Sequence, residues 1–299
     1  MKHICYYFFY IVLLTFNIEK VKANEIIVLN DTTEELRIGK SIFYLKDVNQ
    51  QFTFEQVISP PLDKQFVKST EIAPNFGNVK TVWNRFKIIN HSEKKWFLAV
   101  ENYNIDTLTF YYPDAAGIYH KIAMGSAKPY SNRIYRINPY IFDLIIKTND
   151  SATFYLKVET NVFQYPLSVI SEEGLLKRNQ YKNIGFGIYF GFMMLIIFYG
   201  SVVFLAFKDR GYLFYILYVA LTGLMLFERE GLLAAIWKEK FDVLWAKTSF
   251  FIALASASIY PFTSAFLETK KHTPLLHKII NYFLLPAAFI APAFDILGY

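Results

Sequence analysis

The residues able to do chemistry are few and poorly spaced for it. After His3 the histidines are His91, His120, His272 and His277, and no His-Glu-x-x-His pair puts two imidazoles on one helical face to hold zinc. Two fall at strand or turn positions and two in a polar loop between apolar segments, so surface histidines account for all four better than metal ligands do. Cys5 is the single cysteine, which removes an intramolecular disulfide, a thiolate metal site and a redox pair. No Gly-x-Ser-x-Gly elbow and no phosphate-cradling Gly-x-x-x-x-Gly-Lys loop occurs. No catalytic residue, metal site or cofactor is therefore expected, and these residues do not read as an enzyme.

Recognition chemistry is better represented. Trp83, Trp96, Tyr103, Tyr111, Tyr112, Tyr119, Tyr130, Tyr135 and Tyr140 supply rings on which the apolar face of a sugar can stack. For alternate residues of a strand, burial between sheets is the plainer assignment. Arg133, Tyr135 and Arg136, with Tyr130, lie in the irregular stretch after Pro129 and are the better ligand candidates, because loops carry recognition more often than strands. Glu228-Arg229-Glu230 sits at the edge of an apolar run, where ionisable groups are costly unless paired or wet; an interfacial loop start explains it most simply. Gly187 and Gly191, flanked by Gly185, form a small-x-x-x-small pair that suits either a homodimer through this helix or packing within one chain.

Composition fixes what must hold these groups. Of 299 residues, 54% are hydrophobic and 19% aromatic against 19% charged, which excludes a disordered chain because such chains lack the apolar surface that offsets ordering entropy. The net charge of +6 comes without an Arg-rich block to neutralise a run of phosphates, so nucleic acid is not an expected partner. The rings must enter a core or a bilayer.

Residues 1–23 read as a secretory signal: Lys2 and His3, an apolar run over 4–16, then Val21-Lys22-Ala23 before the cut. An uncleaved anchor is the alternative, but the run is shorter than the ~20 residues needed to cross ~30 Å of hydrocarbon. Cys5 precedes the run, so no lipid anchor is expected. Residues 24–170 then alternate apolar and polar with a period of two, predicting strands over 25–29, 41–46, 79–89, 95–100, 107–112, 118–123, 140–147, 153–159 and 166–171. Pro113-Asp114 with Gly117, and Thr148-Asn149-Asp150, are turn chemistry. Short strands with no long helical pattern between them predict an all-β sandwich or jelly roll.

The pattern changes at Ser171. Residues 171–183 form a polar connector with helical potential, and 184–299 is a transmembrane region with spans at about 184–207, 211–227, 246–267 and 279–297. Lys247 lies inside the third; Pro261, Pro286 and Pro292 are tolerable where neighbouring helices re-satisfy freed carbonyls. Basic residues in 208–210 and 268–278 favour a cytoplasmic side for those loops and export of the strand domain; Lys177, Arg178 and Lys182 run against this, and the signal peptide decides. Residue 299 follows an apolar segment directly, so the sequence is expected to be the N-terminal portion of a longer protein.

Two sets of residues resemble one family, the bacterial seven-transmembrane receptors with diverse intracellular signalling modules. In the strand domain these are Ile38-Gly39, Tyr44-Leu45-x-Asp47, Phe52-Thr53-Phe54-x-x-Val57 and above all Val82-Trp83-x-Arg85-Phe86-x-Ile88-x-Asn90, continuing through Trp96-Phe97-Leu98, Ile105-Asp106-x-Leu108, Tyr112-Pro113-Asp114, Gly117 and Tyr155-Leu156-x-Val158. In the apolar part they are Gly187-Ile188-Tyr189-Phe190-Gly191, Tyr199, Asp209-Arg210-x-Tyr212-Leu213-x-Tyr215-x-Leu217-Tyr218 and Phe266-Leu267-Glu268-Thr269-Lys270. Gly200 departs from the Asn expected after Tyr199.

The resemblance implies a jelly-roll extracellular domain of the second type, similar to carbohydrate-binding modules, followed by a helical transmembrane bundle of which about four of seven helices are present. It further implies a multi-pass protein of the bacterial inner membrane with its N-terminal domain exported, a small-molecule or glycan ligand, and a C-terminal cytoplasmic output such as a histidine kinase or cyclic-dinucleotide synthase. The alternative is a membrane-anchored binding scaffold or envelope-complex subunit without output. A membrane enzyme ranks third, since Asp295 is nearly the only acid inside an apolar segment.

Overall fold

A computed structural model describes residues 26–74, 77, 79–128, 132–160, 164–232 and 248–290. The stretch 1–23 expected as a secretory signal, with Cys5, the candidate Tyr130, residues 246–247 of the third expected span with Lys247, and residues 291–297 of the fourth with Pro292 and Asp295 lie outside them.

The strand domain is two facing sheets. Strands β1 (Ile26–Leu29), β2 (Glu35–Arg37), β3 (Phe43–Lys46) and β4 (Val67–Lys68) precede the long β5 (Thr81–Asn90). Then come β6 (Trp96–Val100), β7 (Thr107–Pro113), β8 (Tyr119–Met124), β9 (Tyr140–Leu144), β10 (Asp150–Glu159) and β11 (Leu167–Ser171). One sheet has the order β4-β3-β5-β10-β7-β8 with β1 also pairing β5; the other is β2-β11-β6-β9. Pairing is antiparallel throughout except β1 on β5, where Ile26 to Leu29 run beside Lys87 to Asn90.

Alternation in β5 explains the layering. Val82, Phe86 and Ile88 point inward to Leu98, Val100, Phe142 and Val169, forming the main core. Phe110, Phe142 and Phe154 meet there, with centroids 5.1 to 5.6 Å apart, the spacing of favourable ring pairs. Trp83 points the other way and founds a second core with Leu45, Val57, Phe66 and Tyr155. The segment from Asp47 to Ser69 covers that face. It is held by the buried Asp47 carboxylate, which accepts from the Gln51 and Phe52 amides at 3.0 Å each, and by a one-turn helix α1 (Phe54–Val57) with a Thr53/Gln56 capping box.

The connector and first span are one helix, α2 (Glu172–Phe207), of 36 residues and so about 54 Å at 1.5 Å per residue. Ser171, the last residue of β11, caps it by accepting from the Gly174 amide at 3.1 Å. Gly174 lies so close to the β2 side that a Cβ there would sit 2.7 Å from the Glu34 carbonyl. Lys208 closes α2 in the left-handed region, and Asp209 caps α3 (Arg210–Arg229) through the Gly211 amide. Among the described residues, α2 and α3 are the helices long and apolar enough to cross a membrane.

The third expected span coincides with α4 (Thr248–Phe266), which contains Pro261. The fourth differs from expectation. After α5 (Thr269–His272) it starts early, as α6 (Pro274–Ile279), and widens into a π turn over Ile280–Leu284 before the short α7 (Leu285–Ala287). Pro286 has no N–H to give the carbonyl one turn back, which accounts for the widened ladder just ahead of it.

Helices α2 and α3 meet closely where glycines permit. A Cβ on Gly200 would lie 3.0 Å from Ile216 Cγ1, and one on Gly223 2.7 Å from Met193 Cε. The departure at Gly200 therefore has a packing reason, since an Asn side chain would push into Ile216. Gly187 and Gly191 have nothing within 4 Å of a built Cβ, so the close approach of α2 to α3 does not use them.

Candidate functional site

The loop residues singled out for binding are engaged with the sandwich. Arg133 is buried, its guanidinium 4.1 Å from the Tyr140 ring centroid and 5.0 Å from that of Tyr103. Tyr140 donates to the Tyr103 carbonyl at 2.8 Å, and burial pushes its hydroxyl well above the ordinary tyrosine range. Tyr135 accepts from Lys95 and donates to Asp143, each at 3.0 Å, while Lys95 and Asp143 pair at 3.1 Å; the Tyr135 hydrogen bond, then Asp143, hold the Lys95 ammonium above its usual range. Arg136 is exposed. These three side chains do not converge on one cavity.

The rings offered as a glycan platform divide between core and cover. Trp83, Tyr111, Tyr119 and Tyr155 share the outer face of the larger sheet, but Phe54 lies flat on Tyr111 at 4.1 Å and 3°. The surface on which a sugar would stack is occupied by the chain's own phenyl ring. Arg85 braces the cover, 4.4 Å from the Phe66 centroid and donating to the Asp63 carbonyl at 3.0 Å. Tyr119, its hydroxyl donating to the Thr153 carbonyl, has its pKa pushed up to about 12 by burial.

Three histidines keep surface positions; His277 does not. His91 contacts Asn149 at 3.1 Å and His120 contacts Asp114 at 2.9 Å. His277 is half-buried, with Nδ1 2.9 Å from the Ser264 hydroxyl and 3.2 Å from that of the buried Thr269. The fold of α4 back onto α6 makes it a structural polar contact rather than a solvated side chain. No group of three potential metal ligands occurs among the described residues.

A cavity lies where sandwich and helices join. It measures about 660 Å³ and has Glu101, Asn102 and Tyr103 after β6, Asn138 before β9, Arg178, Asn179 and Lys182 on α2, and Met225, Arg229 and Glu230 at the end of α3. Arg178 bridges two strands of the sandwich, 2.9 Å from Glu35 and 2.8 Å from Glu101. Lys182 pairs with Glu230 at 2.8 Å, and Asn138 donates to the Glu230 carbonyl at 2.8 Å. Gly231, with φ of 72°, tucks beneath Tyr103; a Cβ there would sit 2.5 Å from the ring.

Of this set the sequence marked the charges at 228–230 and the Tyr103 ring, and Lys182 and Arg178 only as basic residues bearing on orientation. Arg178, Glu101 and Asn138 carried no motif. The junction has polar groups and ion pairs tying the strand domain to both of the first two spans, but no nucleophile–base pair and no metal set. Its ion pairs and the Asn138 hydrogen bond link the two parts mechanically.

Two family models match the chain. The one described as 7TMR-DISM extracellular 2 covers residues 39–171, and the one described as 7TM diverse intracellular signalling covers residues 182–299. A comparison with curated proteins finds no match.

Proposed function

The chain belongs to the seven-transmembrane receptors with diverse intracellular signalling modules, membrane proteins with an extracellular and a seven-helix part, and on that premise we propose that its sandwich is an exported sensor driving the helix bundle through α2 and the junction. The ligand in this reading is a glycan or another small envelope molecule. The output is a cytoplasmic kinase or cyclic-dinucleotide synthase carried C-terminal to these residues. The signal-like stretch 1–23 and the basic loops at 208–210 and 268–278 support an inner membrane location with the sandwich outside.

One observation carries this reading: β11 passes into α2 with no linker between them, so a shift of the sandwich moves the first span as a rigid lever. Coupling of this kind needs only about 1 to 3 kcal/mol of differential affinity between two bundle states. Inserting Gly-Ser residues between Asn179 and Lys182 of the full-length receptor tests it. Output should become independent of ligand while ligand binding persists, and unchanged signalling would overturn the lever. A glycan array probed with the whole chain in detergent identifies the ligand class.

A further inference from the structure

Phe54 sits among four rings of the sandwich as a bound molecule would. It lies flat on Tyr111 at 4.1 Å, meets Tyr119 edge-on at 5.0 Å and Tyr155 at 5.5 Å, and is 6.4 Å from Trp83. The walls of this slot stand without it. Tyr119 is held by its hydrogen bond to the Thr153 carbonyl, Tyr155 packs on Phe66 at 6.3 Å, and Trp83 on Tyr111 at 5.6 Å.

The turn that carries Phe54 also holds independently of the ring. Phe54 is the first residue of α1, which is fixed by the Thr53/Gln56 capping box and by the fully buried Val57. The ring itself is only half-buried. A change of its side-chain rotamer therefore vacates the slot and leaves the backbone in place.

Polarity distinguishes the occupant. Trp83 is buried, and among the described residues its Nε1 donates to nothing; the enclosed Oδ1 of Asp63 accepts from nothing. Burial raises the pKa of the Tyr155 hydroxyl, and the nearby Asp63 carboxylate adds to that rise, which places the carboxylate beside the slot. Buried polar groups without partners are costly, and a phenyl ring supplies no partner to either of them. A pyranose has about the footprint of a phenyl ring, an apolar C–H face to lay on Tyr111, and hydroxyls at its edge that both accept and donate.

We propose that Phe54 is the gate of a sugar subsite: its ring swings out, and one pyranose unit of a glycan takes its place on Tyr111, between Tyr119 and Tyr155, with hydroxyls toward Trp83 Nε1 and the Asp63 carboxylate. The proposal rests on the glycan-sensing reading above and deepens it by assigning the subsite. A gate that is mostly closed lowers the apparent affinity in proportion to the fraction of open slots.

The test is saturation-transfer NMR of the whole chain, in a detergent without a sugar headgroup, with the methyl glycosides of glucose, galactose and N-acetylglucosamine, and with p-cresol as an aromatic probe. At least one glycoside should bind, and Phe54→Ala should bind it about tenfold more tightly than the wild type. Phe54→Trp keeps the slot filled and should bind none, a contrast with the wild type that holds even where the segment closes over the alanine. Trp83→Phe on the Phe54→Ala background keeps a ring, removes the N–H, and should lose most of the gain while unfolding stays cooperative. Equal glycoside binding by the wild type, Phe54→Ala and Phe54→Trp, or binding by none of them, overturns the gate; the glycan reading falls with it only if the glycan array is also blank. Preference of Phe54→Ala for p-cresol over every glycoside overturns the pyranose and gives the slot to an aromatic side chain.

Discussion

Asn138, in the loop before β9, donates its amide to the backbone carbonyl of Glu230 across 2.8 Å, tying the sandwich to the far end of the second span over 92 residues of sequence. The bond complements the covalent path through α2, so the head holds two helices rather than one. Asn138→Ala removes a net contribution of about 0.5 to 1.5 kcal/mol. It should lower the thermal midpoint of the whole chain modestly and increase amide exchange at 228–231, while exchange in β5 and β10 stays unchanged. Equal exchange at 228–231 in both proteins would show that the bond carries no tension between the two parts.

Helix packing makes a sharper distinction among glycines. Gly200 and Gly223 face α3 and α2 respectively, whereas Gly187 and Gly191 face open space. Gly200→Leu should overpack the pair and cost about 1 to 3 kcal/mol, read as a lower unfolding midpoint in detergent. Gly187→Leu should leave that midpoint within error, unless a second copy packs there.

How far this architecture can be read from residues depends on the range of the pattern. Ten residues of alternation in Thr81–Asn90 predict a strand, and the charge-free run in α2 predicts a span, because each repeats a simple period. Strands β2 and β4 have three and two residues and hold no period to detect. The cover over Trp83 left one readable sign, the Thr53-x-x-Gln56 capping box, but Phe52, Phe54 and Val57 on alternate or neighbouring positions mask a single helical turn. Arg133 shows the limit at the site. A loop arginine that grips a ligand and one that lies on Tyr140 have the same composition around them, and only the fold separates the two. The junction is beyond sequence reading because each contact joins single residues with no spacing to recognise.

The cover predicts its own energetics. Phe54 is half-buried yet stacks on Tyr111 and meets Tyr155 edge-on at 5.5 Å. Phe54→Ala should destabilise the sandwich by about 2 kcal/mol, less than a full core deletion because part of the ring is solvated. It should also bare Trp83 and Tyr111, seen as a red shift and stronger quenching of tryptophan emission. A protein that keeps the wild-type spectrum would show that the segment collapses into the gap.

At the exposed hairpin, Asp114 accepts from His120 at 2.9 Å and from the amides of Ala116 and Ile118. The His120 hydrogen bond first, and then the Ile118 amide, hold its carboxyl below the ordinary aspartate range. A depressed folded pKa stabilises at pH above the unfolded value of about 3.9 and loses that contribution as pH falls through the folded one. The wild type should therefore unfold at higher temperature than Asp114→Asn at pH 6, with the gap closing as pH is lowered past about 4. A gap constant with pH would assign the effect to turn geometry instead of charge.

Substitution at Arg178 separates packing from linkage. Its guanidinium reaches back from α2 to Glu35 on β2 and Glu101 beyond β6, so it fastens the first two turns of the helix to the smaller sheet. With the side chain about one quarter exposed, the pair is neither a solvated surface bridge nor a fully buried one. Arg178→Met keeps the stem and removes the charge, leaving two carboxylates facing each other unpaired at a cost of about 1 to 2 kcal/mol. Adding Glu35→Gln and Glu101→Gln removes that repulsion and should recover most of the midpoint. If sandwich stability returns in the triple variant while ligand control of output does not, the arginine acts as the clamp that makes α2 follow the head; recovery of both would reduce it to local charge balance.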